Sequence, residues 1–224
     1  MIWAFAALLV VWGNVVSYLV VPELPGDDPL VIVSGLALVA VSLAFARSRG
    51  LRSPELGLVA SWRALAFGLA LGGLVGLGGV LVLLFPPLLG GPVTYAPVAT
   101  LGAAELARHL LFYLPLGVVL PEELAFRGAL VGALHAAAGI RWAMAGSAVA
   151  FALWHTVTGL ATLTQTNLRG PFFALGVLGA FAVVFAGGVA FAWLRLRTGS
   201  LASTMGAHWA FNAVVILVLV GLRD

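Results

Sequence analysis

The sequence contains no cysteine, no lysine and little charge of either sign. Without cysteine there is no disulfide, no thiolate nucleophile and no cysteine-based metal site. That absence identifies no compartment. Charged residues make up only 8% of the 224 residues, against 62% hydrophobic and a mean hydropathy of +1.15. A soluble domain of ordinary composition does not look like this. The start of the chain lacks a basic segment, and its apolar run is too long for a signal peptide, so it reads as a retained first span. There is no Gly-x-Ser-x-Gly setting for a serine nucleophile and no His-Glu-x-x-His for zinc.

What is present fits a lipid solvent. The length suits about six to eight spans of roughly 20 residues with short connections. The chain therefore reads as all-α, one membrane-embedded domain of about seven transmembrane helices around an intramembrane cavity. Residues 1–99 would be accessory N-terminal spans and residues 100–221 the catalytic core spans. The 28 glycines suit close approach of helix backbones, which packing in lipid favours. All 11 basic residues are arginine, and the pI is near 10.2. They sit singly or in short clusters at span ends, the pattern of topology signals rather than of a nucleic-acid surface. No nucleic-acid partner is expected; the lipid bilayer is.

Apolar runs place spans at residues 1–21, 29–46, 58–85, 100–134, 142–159, 171–194 and 200–221. An acidic turn at 22–28, a basic loop at 47–54, a Pro-rich break at 86–98, a short connection at 135–141, a polar turn at 160–170 and a second basic loop at 195–199 separate them. Asn14 reads as an interhelical hydrogen bond. The glycines crowding the third span read as a packing face. Pro115 and Pro121 are expected to kink the fourth span. Arg47, Arg49, Arg52, Arg141, Arg195 and Arg197 fall on one side of the membrane, and Arg169 and Arg223 on the other. The positive-inside rule makes the first side cytoplasmic. Counted from that side, His155 lies deeper than Glu122 and His208, so the segments must bend if the three are to meet.

The stretch that resists a packing explanation is Pro121-Glu122-Glu123-Leu124-Ala125-Phe126-Arg127-Gly128. An ionisable residue at membrane depth costs about 2.5–3.5 kcal/mol on insertion scales, so it is rare and usually functional. Glu123 and Arg127 are four apart and share a helix face. Glu122 is worse placed for that pairing and stays available for chemistry. The bland alternative is a buried ion-pair knot that pins helices together. His155, His208 and Asn212 add three more polar groups on two later spans, and His208 and Asn212 also share a face. Intramembrane polar groups face the bundle interior, so the simplest arrangement gathers them on one cavity. Such a set can hydrolyse an amide. Glu122 would take a proton from water, His155 would orient that water, and His208 with Asn212 would hold the developing oxyanion. Glu123 and Arg127 would support the site. No cofactor or metal is called for. His109 and His135 read as interfacial and without a role, as does the cluster of Glu105 with Arg108.

Three alternatives stand beside this reading. Two histidines and a glutamate could hold zinc with an open position. Buried Glu and His also mark ion pathways, although no internal repeat suggests a transporter. A non-catalytic membrane scaffold or immunity protein is the third.

Glu122-Glu123-x-x-x-Arg127, Phe151-x-x-x-His155 and His208-x-x-x-Asn212, in this order on successive late spans, resemble the CAAX protease and bacteriocin-processing (CPBP, or ABI) family of intramembrane proteases. That family includes the type II CAAX prenyl endopeptidases. The resemblance covers roughly residues 100–221. It implies a glutamate-dependent endopeptidase with Glu122 as the water-activating base and His155 beside it. It also implies His208 and Asn212 at the oxyanion and Glu123 and Arg127 as supports. The partner would be a peptide or protein substrate, in part of the family lipidated. The location would be a cell membrane, crossed several times, with the active-site cavity open to the cytoplasmic side.

Overall fold

The computed structural model describes residues 1–20, 29–85, 93–95 and 102–221. The acidic turn at 22–28, most of the Pro-rich break and Arg223 lie outside the described residues. Three separate helices come first: α1 (Ile2–Val20), α2 (Pro29–Ser48) and α3 (Trp62–Leu84). A long composite helix follows. It contains α4 (Ala103–Arg108), a π-helical stretch π1 (His109–Val119), the short α5 (Leu120–Glu122), a second π-helical stretch π2 (Glu123–Leu130) and α6 (Val131–Trp154). The chain closes with α7 (Thr156–Thr164), α8 (Pro171–Thr198) and α9 (Leu201–Gly221). No strand forms among the described residues beyond an isolated bridge between Tyr95 and Thr166.

Six of these segments are long and apolar enough to cross a membrane, one of them the 52 residues Ala103–Trp154. That segment is a hairpin of two spans. Gly139 sits inside it at φ 81° and ψ −179°, a backbone conformation that side chains disfavour and glycine accepts. The chain reverses there. Ser147 Oγ reaches Phe126 O at 3.3 Å, and the Phe126 and Phe151 rings meet edge to face at 5.1 Å. Among the described residues the bundle thus has seven spans, a multi-pass membrane fold. Large apolar side chains such as Val11, Leu74, Leu81 and Leu178 remain exposed on its outside, as a lipid-facing surface requires.

The reversal falls inside the predicted connection at 135–141, close to its later end. Helix continues through that region to Gly139. Glu122 and His155 then lie 17 and 16 residues from the turn, so they sit at matching depth. The expected mismatch between them disappears. The two prolines fall where the helical ladder is disturbed. Proline lacks an N–H and clashes with the carbonyl four residues back. Here the ladder accommodates Pro115 by widening to i→i+5, with Leu120 N–H donating to Pro115 O. The result is a continuous helix with two π stretches, a feature that recurs at functional sites.

Two packing features position the later helices. Gly68, Gly72 and Gly76 bring α3 against α9 with no room for a side chain. A Cβ would stand 1.9 Å from Ser203 O at Gly68, 2.1 Å from Ala207 O at Gly72 and 3.1 Å from Val214 Cβ at Gly76. Gly73 and Gly78 meet nothing within 4 Å. The expected packing face is therefore the glycines four residues apart, Gly68, Gly72 and Gly76, not all of them. At the other interface, Leu9, Leu38, Phe126, Leu130 and Leu134 form a fully buried core between α1, α2, π2 and α6.

The bundle's two ends differ. At one, α2 stops at Gly50 (φ 68°) with Leu51 N–H donating to Ala46 O at 3.0 Å, a Schellman closure. The following loop docks on α8 and α9. Leu201 N–H donates to Gly57 O at 2.8 Å, and Ser200 Oγ to Val59 O at 2.6 Å. Arg195 was expected in a free basic loop. Instead α8 runs on to Thr198, and Arg195, only 6% exposed, donates to the carbonyls of Pro54 and Glu55. At the opposite end Thr94 N–H donates to Asn167 Oδ1 at 3.2 Å.

Candidate active site

The composite helix carries the acids. Glu122 ends α5 and Glu123 begins π2, and their side chains part. Glu123 is fully buried. Its Oε1 accepts from Arg127 Nη1 at 3.1 Å and from His208 Nδ1 at 2.8 Å. Arg127, also fully buried, lies with its guanidinium 3.9 Å from the Phe151 ring centroid and 5.1 Å from that of Phe191. Two aromatic faces and one carboxylate thus compensate its charge. Glu122 is 7% exposed and faces elsewhere. Its Oε2 has no hydrogen-bond partner among the described residues and lies 3.8 Å from His155 Nε2.

His155 stands at a break. The fifth span does not run from 142 to 159 as predicted. α6 ends at Trp154, His155 adopts φ −87° and ψ 8°, and α7 carries helix on to Thr164, into the expected polar turn. His155 N–H turns to Ala152 O at 3.2 Å. An unbroken helix would have used Phe151 O. Phe151 O instead accepts from His155 Nδ1 at 2.8 Å. A carbonyl only accepts, so Nδ1 carries the hydrogen and Nε2 is left facing Glu122.

α9 supplies the opposite wall. His208 and Asn212, one helical turn apart, both line a cavity of about 830 Å³ that Glu122 and His155 also line. An ionised carboxylate shared with Arg127 only accepts, so His208 Nδ1 carries a hydrogen toward Glu123. Nε2 of His208 can donate only when the ring carries both protons. Phe151 and Phe191 flank that ring at 6.3 and 5.8 Å between centroids. The rest of the wall is mostly apolar, drawn from α1, α2, α3, π1 and α8.

The four residues assigned to chemistry, Glu122, His155, His208 and Asn212, thus share one cavity, and Glu123 with Arg127 forms the layer behind. His135 is exposed. Glu105 is exposed as well, and its carboxylate accepts from Gly102 N–H at 2.9 Å, capping its own helix. His109, read as interfacial and without a role, lines the same cavity together with Tyr113. Phe191 is the contact that residue spacing did not reveal. It lies in an otherwise featureless span, where apolar side chains facing lipid and facing the cavity look alike. Among the described residues, no three His, Asp or Glu side chains are grouped so as to hold a metal ion.

This fold and site define a polytopic membrane protein with carboxylate and imidazole groups gathered on a buried cavity. Residues 105–214 match the family described as Type II CAAX prenyl endopeptidase Rce1-like, a stretch that takes in all six residues above. Over that stretch the chain is similar to the Rce1-like family, whose class is the CAAX-type proteases. No curated protein and no solved structure matches the chain.

Proposed function

We propose that the protein is a glutamate-dependent intramembrane endopeptidase of the CPBP (ABI) type, acting on a membrane-held peptide, with CAAX-type C-terminal processing of a prenylated peptide as the leading case. The observation that carries this reading is the buried Glu122 Oε2, free of hydrogen bonds among the described residues and 3.8 Å from His155 Nε2, at the wall of the cavity. A general base needs an uncommitted lone pair beside the proton it removes. Glu123 is placed differently: Arg127 and His208 share its Oε1, its side chain is fully buried, and it does not line the cavity.

Water gives one proton to Glu122 while its other O–H donates a hydrogen bond to His155 Nε2. The resulting hydroxide adds to the peptide carbonyl carbon. The carbonyl oxygen, now an oxyanion, is met by Asn212 Nδ2–H and by Nε2–H of a doubly protonated His208. As the C–N bond breaks, the proton held by Glu122 passes to the amine nitrogen, by way of His155 where the leaving group is out of reach. The acid product then gives its proton to the amine, and a carboxylate and an ammonium ion leave. No acyl-enzyme forms. We place the protein in a cell membrane with this cavity open to the cytoplasm, on the strength of the arginine distribution.

Two experiments test the proposal. The protein is reconstituted in lipid and given farnesylated and unmodified CAAX peptides, with products read by mass spectrometry. In cells, new protein termini are compared with and without the active protein. Cleavage of one backbone bond, kept in EDTA, supports the proposal. Activity lost in EDTA and restored by Zn²⁺ would replace the base by a metal. Absence of any cleavage product, with the wild type folded, would favour a scaffold or a transporter.

A further inference from the structure

Asn14 lies on α1, outside the stretch matched to the family. Its side chain reaches the break at His155. Asn14 Nδ2 donates to Leu153 O at 2.8 Å, and Asn14 Oδ1 accepts from Val157 N–H at 2.9 Å. In an unbroken α-helix those two groups, four residues apart, would bond to each other. Here they are joined through the Asn14 amide, two residues to either side of His155. Nδ2 also donates to Val10 O at 2.8 Å, which ties the amide to its own helix, and Thr156 Oγ1 adds a second donor to Leu153 O at 2.9 Å. Around this clasp the helices are in close contact. A Cβ at Gly13 would stand 2.2 Å from the Trp154 ring, and Ser17 Oγ lies 2.5 Å from Thr158 Oγ1.

We infer that Asn14 is a positioning residue for His155: its amide holds open the α6–α7 break that aims the imidazole at Glu122. The chain of cause is short. A break in lipid leaves backbone groups without partners, each costing several kcal/mol. Asn14 satisfies one acceptor and one donor together, which makes the break stable. The break turns His155 N–H to Ala152 and leaves Phe151 O to the ring. That bond fixes the tautomer and points Nε2 at the cavity. Asn14 itself does not line the cavity, so it acts through His155 and not on substrate.

The functional half of this inference rests on the proposed peptidase reading; the structural half does not. Asn14→Leu keeps the volume and removes both bonds, and Asn14→Ser serves as the second variant if the first fails to fold. With a farnesylated CAAX peptide, kcat should fall about 10- to 100-fold with KM changed less than about threefold, as expected when a catalytic group is misplaced by a fraction of an ångström to an ångström. The chain has only four histidines, so ¹⁵N-histidine labelling resolves His155 by comparison with His155→Gln. In the wild type its ring should hold one tautomer with hydrogen on Nδ1, and in the Asn14 variants a mixture. Wild-type kcat in a folded Asn14 variant, or a His155 ring signature unchanged by it, would overturn the inference. If the wild type cleaves nothing, the peptidase reading fails, and the ring signature still decides the role of Asn14.

Discussion

His208 Nδ1 and Glu123 Oε1 lie 2.8 Å apart, and the same oxygen meets Arg127 Nη1 at 3.1 Å. One buried carboxylate therefore joins the composite helix to α9 and fixes which edge of the His208 ring faces the cavity. Glu123→Gln should leave the Arg127 charge buried without its paired carboxylate. Loss of one partner of a buried pair costs about 3–5 kcal/mol, so melting in detergent should drop well below wild type and activity should fall with it. Replacing both partners together, by Glu123→Leu with Arg127→Met, should recover stability but not activity. A double variant no more stable than Glu123→Gln would count against the pairing.

The oxyanion donors make a separable prediction. Asn212→Ala and His208→Gln should each lower kcat by about 10²- to 10³-fold with little change in KM, the usual effect of removing one such donor. His208→Gln also loses part of its tie to Glu123, so of the two it should melt lower. Equal stability and unequal KM would point to substrate binding instead.

The packing of α3 on α9 predicts a contrast between neighbouring glycines. At Gly72 a Cβ would meet Ala207 O at 2.1 Å, one residue before His208, while at Gly73 it meets nothing within 4 Å. Gly72→Val should displace α9, costing about 1–3 kcal/mol or more for overpacking and much of the activity. Gly73→Val should be close to wild type in both. Thermal melting and peptide turnover of the two variants, side by side, check this.

Much of the fold was legible because lipid imposes a simple rule: backbone polar groups must be satisfied internally, so long apolar runs become helices. The Glu122 stretch, His155, His208 and Asn212 stood out for the same reason, as polar groups with no business in hydrocarbon unless they meet. The break at His155 was not legible. Phe151 to Thr158 contains no proline, and its only glycine neighbour is Gly159. The partner that stabilises the break, Asn14, lies more than 130 residues away in sequence. Asn14 read correctly as an interhelical hydrogen bond, but spacing could not say to what. The π stretches were half legible. Pro115 and Pro121 signalled a disturbed ladder, yet a kink and a widened turn have the same sequence signature.

Glu122→Gln tests the central claim most directly. The substitution keeps the shape of the side chain and removes its ability to take a proton. Turnover of a cleavable farnesylated peptide by wild type and by Glu122→Gln, in the same lipid and with melting temperatures measured alongside, is the measurement. A folded variant whose kcat has fallen by at least about 10²-fold, the lower range for a lost general base, is the predicted result. A folded Glu122→Gln protein that cleaves at the wild-type rate would contradict the account.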